Sequence, residues 1–197
     1  IRFTSRFLTQ ELAIGDVDGD GPPDIVGVSA PFEVPSVGVF SNLRNGAFGP
    51  ATTYTAICDA TGPIALGDFN ADGRLDVART CWQGGNRIAV RLNEGDGTLG
   101  SETGYDVGPW PWAIAIGRFL TTDGPLDIAA APTLGADYGG TGVSVFPGKG
   151  DGTFGKALAA NSPVSNTLVA GDFNGDGHPD IAFAAGDTLG VLYFVCE

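Results

Sequence analysis

Three stretches of this 197-residue chain set oxygen-bearing side chains at alternate places. The first runs Asp16, Asp18, Asp20 and then Asp24. The second runs Asp68, Asn70, Asp72 and then Asp76, and the third Asp172, Asn174, Asp176 and then Asp180. A glycine follows the third donor each time (Gly21, Gly73, Gly177), where the chain must turn sharply. Alternation brings several oxygens to one centre, and a hard divalent cation takes about six to eight of them at about 2.3–2.6 Å. Pro22, Arg74 and His178, two places before the last Asp, are placed to add a backbone carbonyl. The expected chemistry is Ca2+ ligation at three sites. A polar β-turn without metal is the plainer reading of any single copy; three copies in register favour the metal.

The opening of the motif also fits an EF-hand, which needs a Glu at place twelve and a helix on either side. Place twelve is Gly27, Arg79 or Phe183, and the flanks are short apolar runs bounded by glycine. Each loop is therefore expected to join two strands. The three copies start at Gly15, Gly67 and Gly171, and an altered fourth, GRFLTTDGPLDI, starts at Gly117; successive starts lie 52, 50 and 54 residues apart. A period near fifty in so short a chain marks a repeat architecture. In the altered copy Arg118 replaces the first Asp, Leu120 replaces the second donor, and one residue is inserted. No calcium is expected there, and Arg118 is expected to supply the positive charge instead, to Asp127 or Asp123.

The strands that must position these loops repeat with them. In the second period Pro63–Gly67 enters the loop and Leu75–Cys81 leaves it. Arg87–Asn93 follows with the alternation R-I-A-V-R-L-N, then the turn EGDGT and a more polar run, Leu99–Val107. The third strand recurs at Val37–Ser41, Val143–Pro147 and Leu189–Val195, and the turn recurs as RNGAF and GDGTF. Four strands per unit, the innermost most apolar, is the layout of a propeller blade. The fold expected is all-β: a four-bladed β-propeller of four-stranded antiparallel blades in one domain, 1–197. Blade 1 covers about 11–57, blade 2 about 58–108, blade 3 about 109–162, and blade 4 about 163–197 plus 1–10. The fourth period stops where its outer strand is due, and residues 3–10 are expected to supply that strand and close the ring. A closed monomer is favoured over an open arc that pairs with a second copy.

Glycine, at 32 residues, with 43% hydrophobic and 17% charged residues, fits an all-β chain rich in tight turns. The net charge is −13, and ten of the 23 acidic residues fall in the three intact loops, so local cation sites account for much of it. Such a charge argues against nucleic acid or an anionic membrane as the main target. No run is long enough for a membrane span, and the chain has neither an initiating Met nor an Asn-x-Ser/Thr sequon. It reads as a mature or trimmed form of something longer. Loops of this kind fill best where calcium is millimolar, which points to an extracellular or periplasmic home.

Loops such as GDFNGDGHPDI on this period, with GDGTF turns, resemble the FG-GAP/VCBS repeats of integrin α-chain propellers and of secreted microbial and fungal proteins, some of them lectins. The resemblance covers nearly the whole chain. It implies a calcium-stabilised propeller with a recognition function. Four blades is fewer than the seven usual in that family.

If the acidic loops join first and second strands, they share one face, and the remaining loops share the other. That second face carries Trp82, Trp110, Trp112 and Tyr138 beside Asp, Asn, Gln and Arg. Flat apolar area with polar groups at its rim suits a sugar or a peptide. Trp112, next to an inner strand, is also placed to fill the space between blades. The partner expected is a carbohydrate or glycoprotein, and the alternatives are a protein-binding adhesion module or an accessory propeller of a larger secreted enzyme. Cys58 and Cys81 fall at the same end of neighbouring strands, so a disulfide is expected, with Cys196 left over. Catalysis is not expected. The single His, His178, sits inside an acidic loop, and no nucleophile elbow, zinc motif or phosphate loop occurs.

Overall fold

The computed structural model describes residues 9–29, 34–58, 60–132, 142–160 and 162–195. Four antiparallel meanders follow one another along the chain. The first is β1 (Thr9–Gly15), β2 (Asp24–Ser29), β3 (Ser36–Phe40) and β4 (Thr52–Thr55). The second is β5 (Ala60–Gly67), β6 (Asp76–Gln83), β7 (Arg87–Gly95) and β8 (Thr98–Asp106). The third is β9 (Pro111–Gly117), β10 (Asp127–Pro132), β11 (Ser144–Phe146) and β12 (Leu158–Ala159). The fourth, among the described residues, holds three strands: β13 (Thr167–Gly171), β14 (Asp180–Ala185) and β15 (Thr188–Leu192).

The sequence dictates this gradient within each sheet. β10, DIAAAP, is small and apolar and is buried throughout. The outermost β4, TTYT, is hydroxyl-rich and mostly exposed. Neighbouring inner strands pack side by side, β1 on β5, β5 on β9 and β9 on β13. Between consecutive blades lie three apolar clusters. Val17, Val26 and Val37 of blade 1 meet Ile64, Leu66 and Leu99 of blade 2. Phe69, Ile88 and Val90 meet Ile114, Ile116 and Phe154, and Phe119, Val143 and Val145 meet Leu168, Ile181 and Phe183. At each of these three junctions the forward face of one blade meets the backward face of the next, and stacking buries both.

The repeated glycine turn has a role in this stacking. In blade 3 the Gly152 N–H donates to the Phe69 carbonyl of blade 2 at 3.0 Å. In blade 2, Asn93 Nδ2 donates to the Val17 carbonyl of blade 1 at 2.7 Å, and a Cβ on Gly97 (φ +77°) would stand 2.9 Å from Asp18 Cβ. The turn of one blade therefore rests on the acidic loop of the blade before it, and the positive φ with no room for a side chain explains the glycine.

The strand order and the loop positions agree with the sequence reading, and the ring closure does not appear among the described residues. Thr9 pairs with Ser29, so Thr9 and Gln10 belong to the inner strand of blade 1 and not to blade 4. Residues 1–8, expected to complete blade 4, lie outside the described residues, as do Tyr138 and Cys196. Phe173 and Leu189 of blade 4 and Leu12 and Ile14 of blade 1 are exposed, so the described faces of these two blades are not packed on each other. No helix among the described residues is long and apolar enough to cross a membrane.

Candidate functional site

Each acidic loop joins the first strand of its blade to the second, and each is held by the same brace. The last Asp is fully buried or nearly so, and its carboxylate accepts backbone N–H groups from two directions. Asp24 takes Val17 at 2.9 Å and Asp18 at 3.2 Å from its own loop, and Asn42 at 2.8 Å from beyond β3. Asp76 takes Phe69 and Asn93, both at 2.8 Å, and Asp180 takes Phe173 at 3.1 Å and Phe194 at 3.0 Å. Asp127, in the altered loop, does the same with Leu120 at 3.0 Å and Gly148 at 2.9 Å. This Asp therefore has a structural duty that needs no metal. Burial raises the carboxyl of Asp76 above the ordinary range, with Asp72 and Asp68 adding to it against the opposing N–H groups. Burial likewise raises Asp127.

In loop 1 the side chains of Asp16, Asp18 and Asp24 bring one oxygen each within 4.8 Å of one another, the one such acidic group among the described residues. Asp16 Oδ2 accepts the Gly21 N–H at 2.9 Å, while Asp16 Oδ1 is buried with no hydrogen-bond partner. Burial raises the Asp18 carboxyl, and the neighbouring carboxylates of Asp24 and Asp20 push the same way. An orphaned buried oxygen among crowded carboxylates is a donor set that a divalent cation satisfies. Asp20 is turned outward onto Arg44 at 2.9 Å.

Loops 2 and 4 repeat one another closely. Asp68 and Asp172 each accept the N–H of the turn glycine, Gly73 or Gly177, at 2.9 Å. Asn70 and Asn174 donate to Asp72 and Asp176 at 3.1 and 2.8 Å. Asp72 also accepts the Arg74 N–H at 2.9 Å and pairs with its guanidinium, and Asp176 accepts the His178 N–H at 2.8 Å. Pro22 lies at the matching place in loop 1. In the altered loop, Arg118 Nε donates to the Gly124 carbonyl at 2.8 Å rather than to a carboxylate, contrary to the expectation of a bond to Asp127 or Asp123.

At the opposite end of the blades the three Trp rings come together. Trp82, at the end of β6, stacks on Trp110 with centroids 5.1 Å apart and planes 23° apart, and lies 5.5 Å from Trp112 at a tilt. Trp110 and Trp112 are exposed and Trp82 is half-buried. Trp112 is thus part of the surface cluster rather than a plug between blades. The loops around it are tied down. Asn86 Oδ1 accepts the Trp110 N–H at 3.2 Å, the Asn86 carbonyl accepts Val107 N–H at 3.1 Å, and Arg87 pairs with Asp106 at 3.1 Å. Trp110 holds a left-handed backbone (φ 54°), a conformation that costs about 1–3 kcal/mol and is kept only where its surroundings impose it.

Cys58 and Cys81 form the expected disulfide, with Cα atoms 6.0 Å apart, beside this cluster. It closes a 23-residue separation, for which chain entropy gives about 3 kcal/mol. The Cys58→Ala, Cys81→Ala pair is expected to lose about that much, or about 6–12 °C in Tm by calorimetry. The sequence reading missed what lies behind the disulfide. Arg79 is completely buried, pairs with Glu102 through two bonds of 2.8 and 2.9 Å, and donates to Cys58 Sγ at 3.1 Å. Glu102 also accepts the Ile57 N–H at 2.7 Å and has Arg91 at 3.7 Å. Arg91 donates to the Gly100 and Thr55 carbonyls and lies over the Tyr54 ring. The alternation of β7 reads both of its arginines as outward, which is true of Arg87 and false of Arg91.

Blades stacked through apolar faces, with an acidic loop at one end and an aromatic cluster at the other, define a propeller-type repeat fold. The chain belongs to the FG-GAP-like repeat family, whose model matches residues 16–79 and 120–183, more than half of its length. Each match runs from one loop through the next, and the second takes in the altered loop from Leu120 onward. Comparison with curated proteins returned no match. Among solved structures the chain is similar to a lectin of Agrocybe aegerita that recognises non-reducing terminal N-acetylglucosamine, at 27% identity and a TM-score of 0.57. That similarity covers 86% of this chain and 44% of the lectin chain, so the protein spans less than half of that relative.

Proposed function

We propose that this protein is a calcium-stabilised extracellular recognition module that binds carbohydrate through Trp82, Trp110 and Trp112. One observation carries the reading. Three Trp rings, distant in sequence, gather on one surface that the disulfide and the Asn86 and Arg87 contacts hold in place. An exposed indole offers a flat apolar face to the C–H side of a sugar ring. Gln83, Arg87 and Asp106 stand nearby in sequence as donors and acceptors for its hydroxyls. The likeness to a lectin supports the ligand class, and terminal N-acetylglucosamine is the first probe to try.

In this reading the acidic loops stiffen the scaffold and do not touch the ligand. Calcium, when bound, supplies positive charge to side chains that otherwise repel. Asp16, Asp18 and Asp24 hold it in loop 1, with the Pro22 carbonyl and, once it leaves Arg44, Asp20 as further donors. Asp68, Asn70, Asp72, Arg74 and Asp76 serve loop 2, and Asp172, Asn174, Asp176, His178 and Asp180 serve loop 4, with Arg74 and His178 acting through their carbonyls. The role is binding, not catalysis. The disulfide fits an oxidising compartment.

The test is titration calorimetry with a glycan ending in N-acetylglucosamine, preceded by an array. Trp110→Ala is expected to weaken binding about tenfold, the worth of one good aromatic contact, with little change in Tm because the ring is exposed. Trp82→Ala, which removes the ring that both others touch, is expected to weaken it further. Unchanged affinity in both variants would place the sugar elsewhere. An array with no bound glycan at all would leave a protein surface as the partner.

A further inference from the structure

The three junctions inside the chain define which positions of a blade point forward and which point backward. Two places after the loop glycine, Val17, Phe69 and Phe119 are each 1% exposed, sealed by the blade that follows. The same place in blade 4 is Phe173, which is 49% exposed. At the start of the third strand Val37 and Ile88, and Val143 just before β11, are at most 1% exposed, whereas their counterpart Leu189 is 80% exposed. Val169 completes this face at 54%.

The backward face shows the reverse. One and three places before the loop glycine, Leu66 and Ile64, Ile116 and Ile114, and Ala170 and Leu168 all pack on the blade before them. Their counterparts in blade 1, Ile14 and Leu12, are 70% and 55% exposed. The turn that rests on the preceding loop is also present, with no such loop against it among the described residues. Gly46 has the same left-handed backbone (φ +81°) as Gly97 and Gly152. Asn42, at the place of Asn93, bonds its own Pro23 carbonyl at 3.0 Å as Asn93 bonds Leu75. Asn93 makes a second bond across the junction, and Asn42 has one amide hydrogen left to do so.

We infer that the forward face of blade 4 docks on the backward face of blade 1 of a second copy of this chain, making a fourth junction like the three within it. The two faces are unlike each other and complementary, so the contact is heterologous, and two copies joined head to tail at both ends close without leaving a free face. Both copies carry −13, so salt and calcium are expected to strengthen the pairing by screening and by neutralising the loops.

The experiment is light scattering on the chromatographed protein with calcium, across a concentration series. The expected mass is twice the 20.1 kDa of one chain, falling to 20.1 kDa in Leu12→Asp and in Leu189→Asp. Both positions are exposed in a single copy, so each variant is expected to keep the wild-type circular dichroism. Mixing the two variants restores one whole junction, because each carries the face that the other has lost, and the doubled mass is expected to return in part. A mass of 20.1 kDa for the wild type throughout the series would overturn the inference, and would favour a ring closed within one chain. So would variants that stay double, or a mixture that stays single while each face is folded.

Discussion

Glu102→Ala is expected to destabilise the protein by about 3–5 kcal/mol, the effect of removing one partner from a buried ion pair. The Glu102 side chain is 1% exposed and is the counter-ion of Arg79, which has no access to water at all. Removing the carboxylate leaves one guanidinium buried on Cys58 sulfur alone and takes the nearest negative charge from Arg91, whose proton burial already loosens. It also frees the Ile57 N–H, next to the disulfide. Urea unfolding checks the loss, and a companion variant checks its cause. Arg79→Met combined with Glu102→Leu removes both charges and keeps the volume, so it is expected to recover much of the stability. If the double variant is no better than Glu102→Ala alone, the loss does not lie in a stranded Arg79 charge but in packing, the freed Ile57 N–H or Arg91. The proposed ligand surface depends on the same group, because Cys81 and Trp82 follow Arg79 on β6. Glu102→Ala is therefore expected to weaken glycan binding without touching the Trp rings.

What could be read from the residues alone follows from how locally each feature is encoded. The acidic loops are contiguous, and their period exposes them. The third strand of the second period was expected over Arg87–Asn93 and runs Arg87–Gly95. Cys58 and Cys81 meet because both sit at the loop-distant end of one blade, which the period also reveals. The Arg79, Glu102 and Arg91 group was invisible because it is written across three strands. Arg91 faces Glu102 through the β7–β8 register, and Arg79 reaches them from β6. No spacing along the chain marks that meeting. The second duty of Asp24, Asp76 and Asp180 was hidden for a different reason: a carboxylate that takes backbone N–H groups and one that takes a cation look alike in sequence. Asp127 separates the two, since it keeps the brace in a loop that has lost its first two donors.

That separation makes calcium removal the most informative perturbation. A cation that binds only the folded state adds about 2.7 kcal/mol per site at a hundredfold excess over its Kd. In a chain of this size that is about 5–10 °C in Tm for each filled site. Adding chelator is therefore expected to lower Tm in steps that sum over loops 1, 2 and 4. Asp16→Ala is expected to remove the share of loop 1 and to change little once chelator is present, because Asp16 Oδ1 has no partner and the one N–H that Oδ2 accepts, from Gly21, is exposed to water. Asp24→Ala is expected to cost about 3 kcal/mol in chelator, since three backbone N–H groups lose their acceptor, and in calcium to lose the share of loop 1 as well. Asp127→Ala provides the metal-free control and is expected to resemble Asp24→Ala in chelator. Scanning calorimetry of the four proteins in calcium and in chelator reads all of this. A Tm that does not respond to chelator in the wild type would reduce the acidic loops to hydrogen-bonded turns, and equal effects of Asp16→Ala in both conditions would deny that carboxylate its cation.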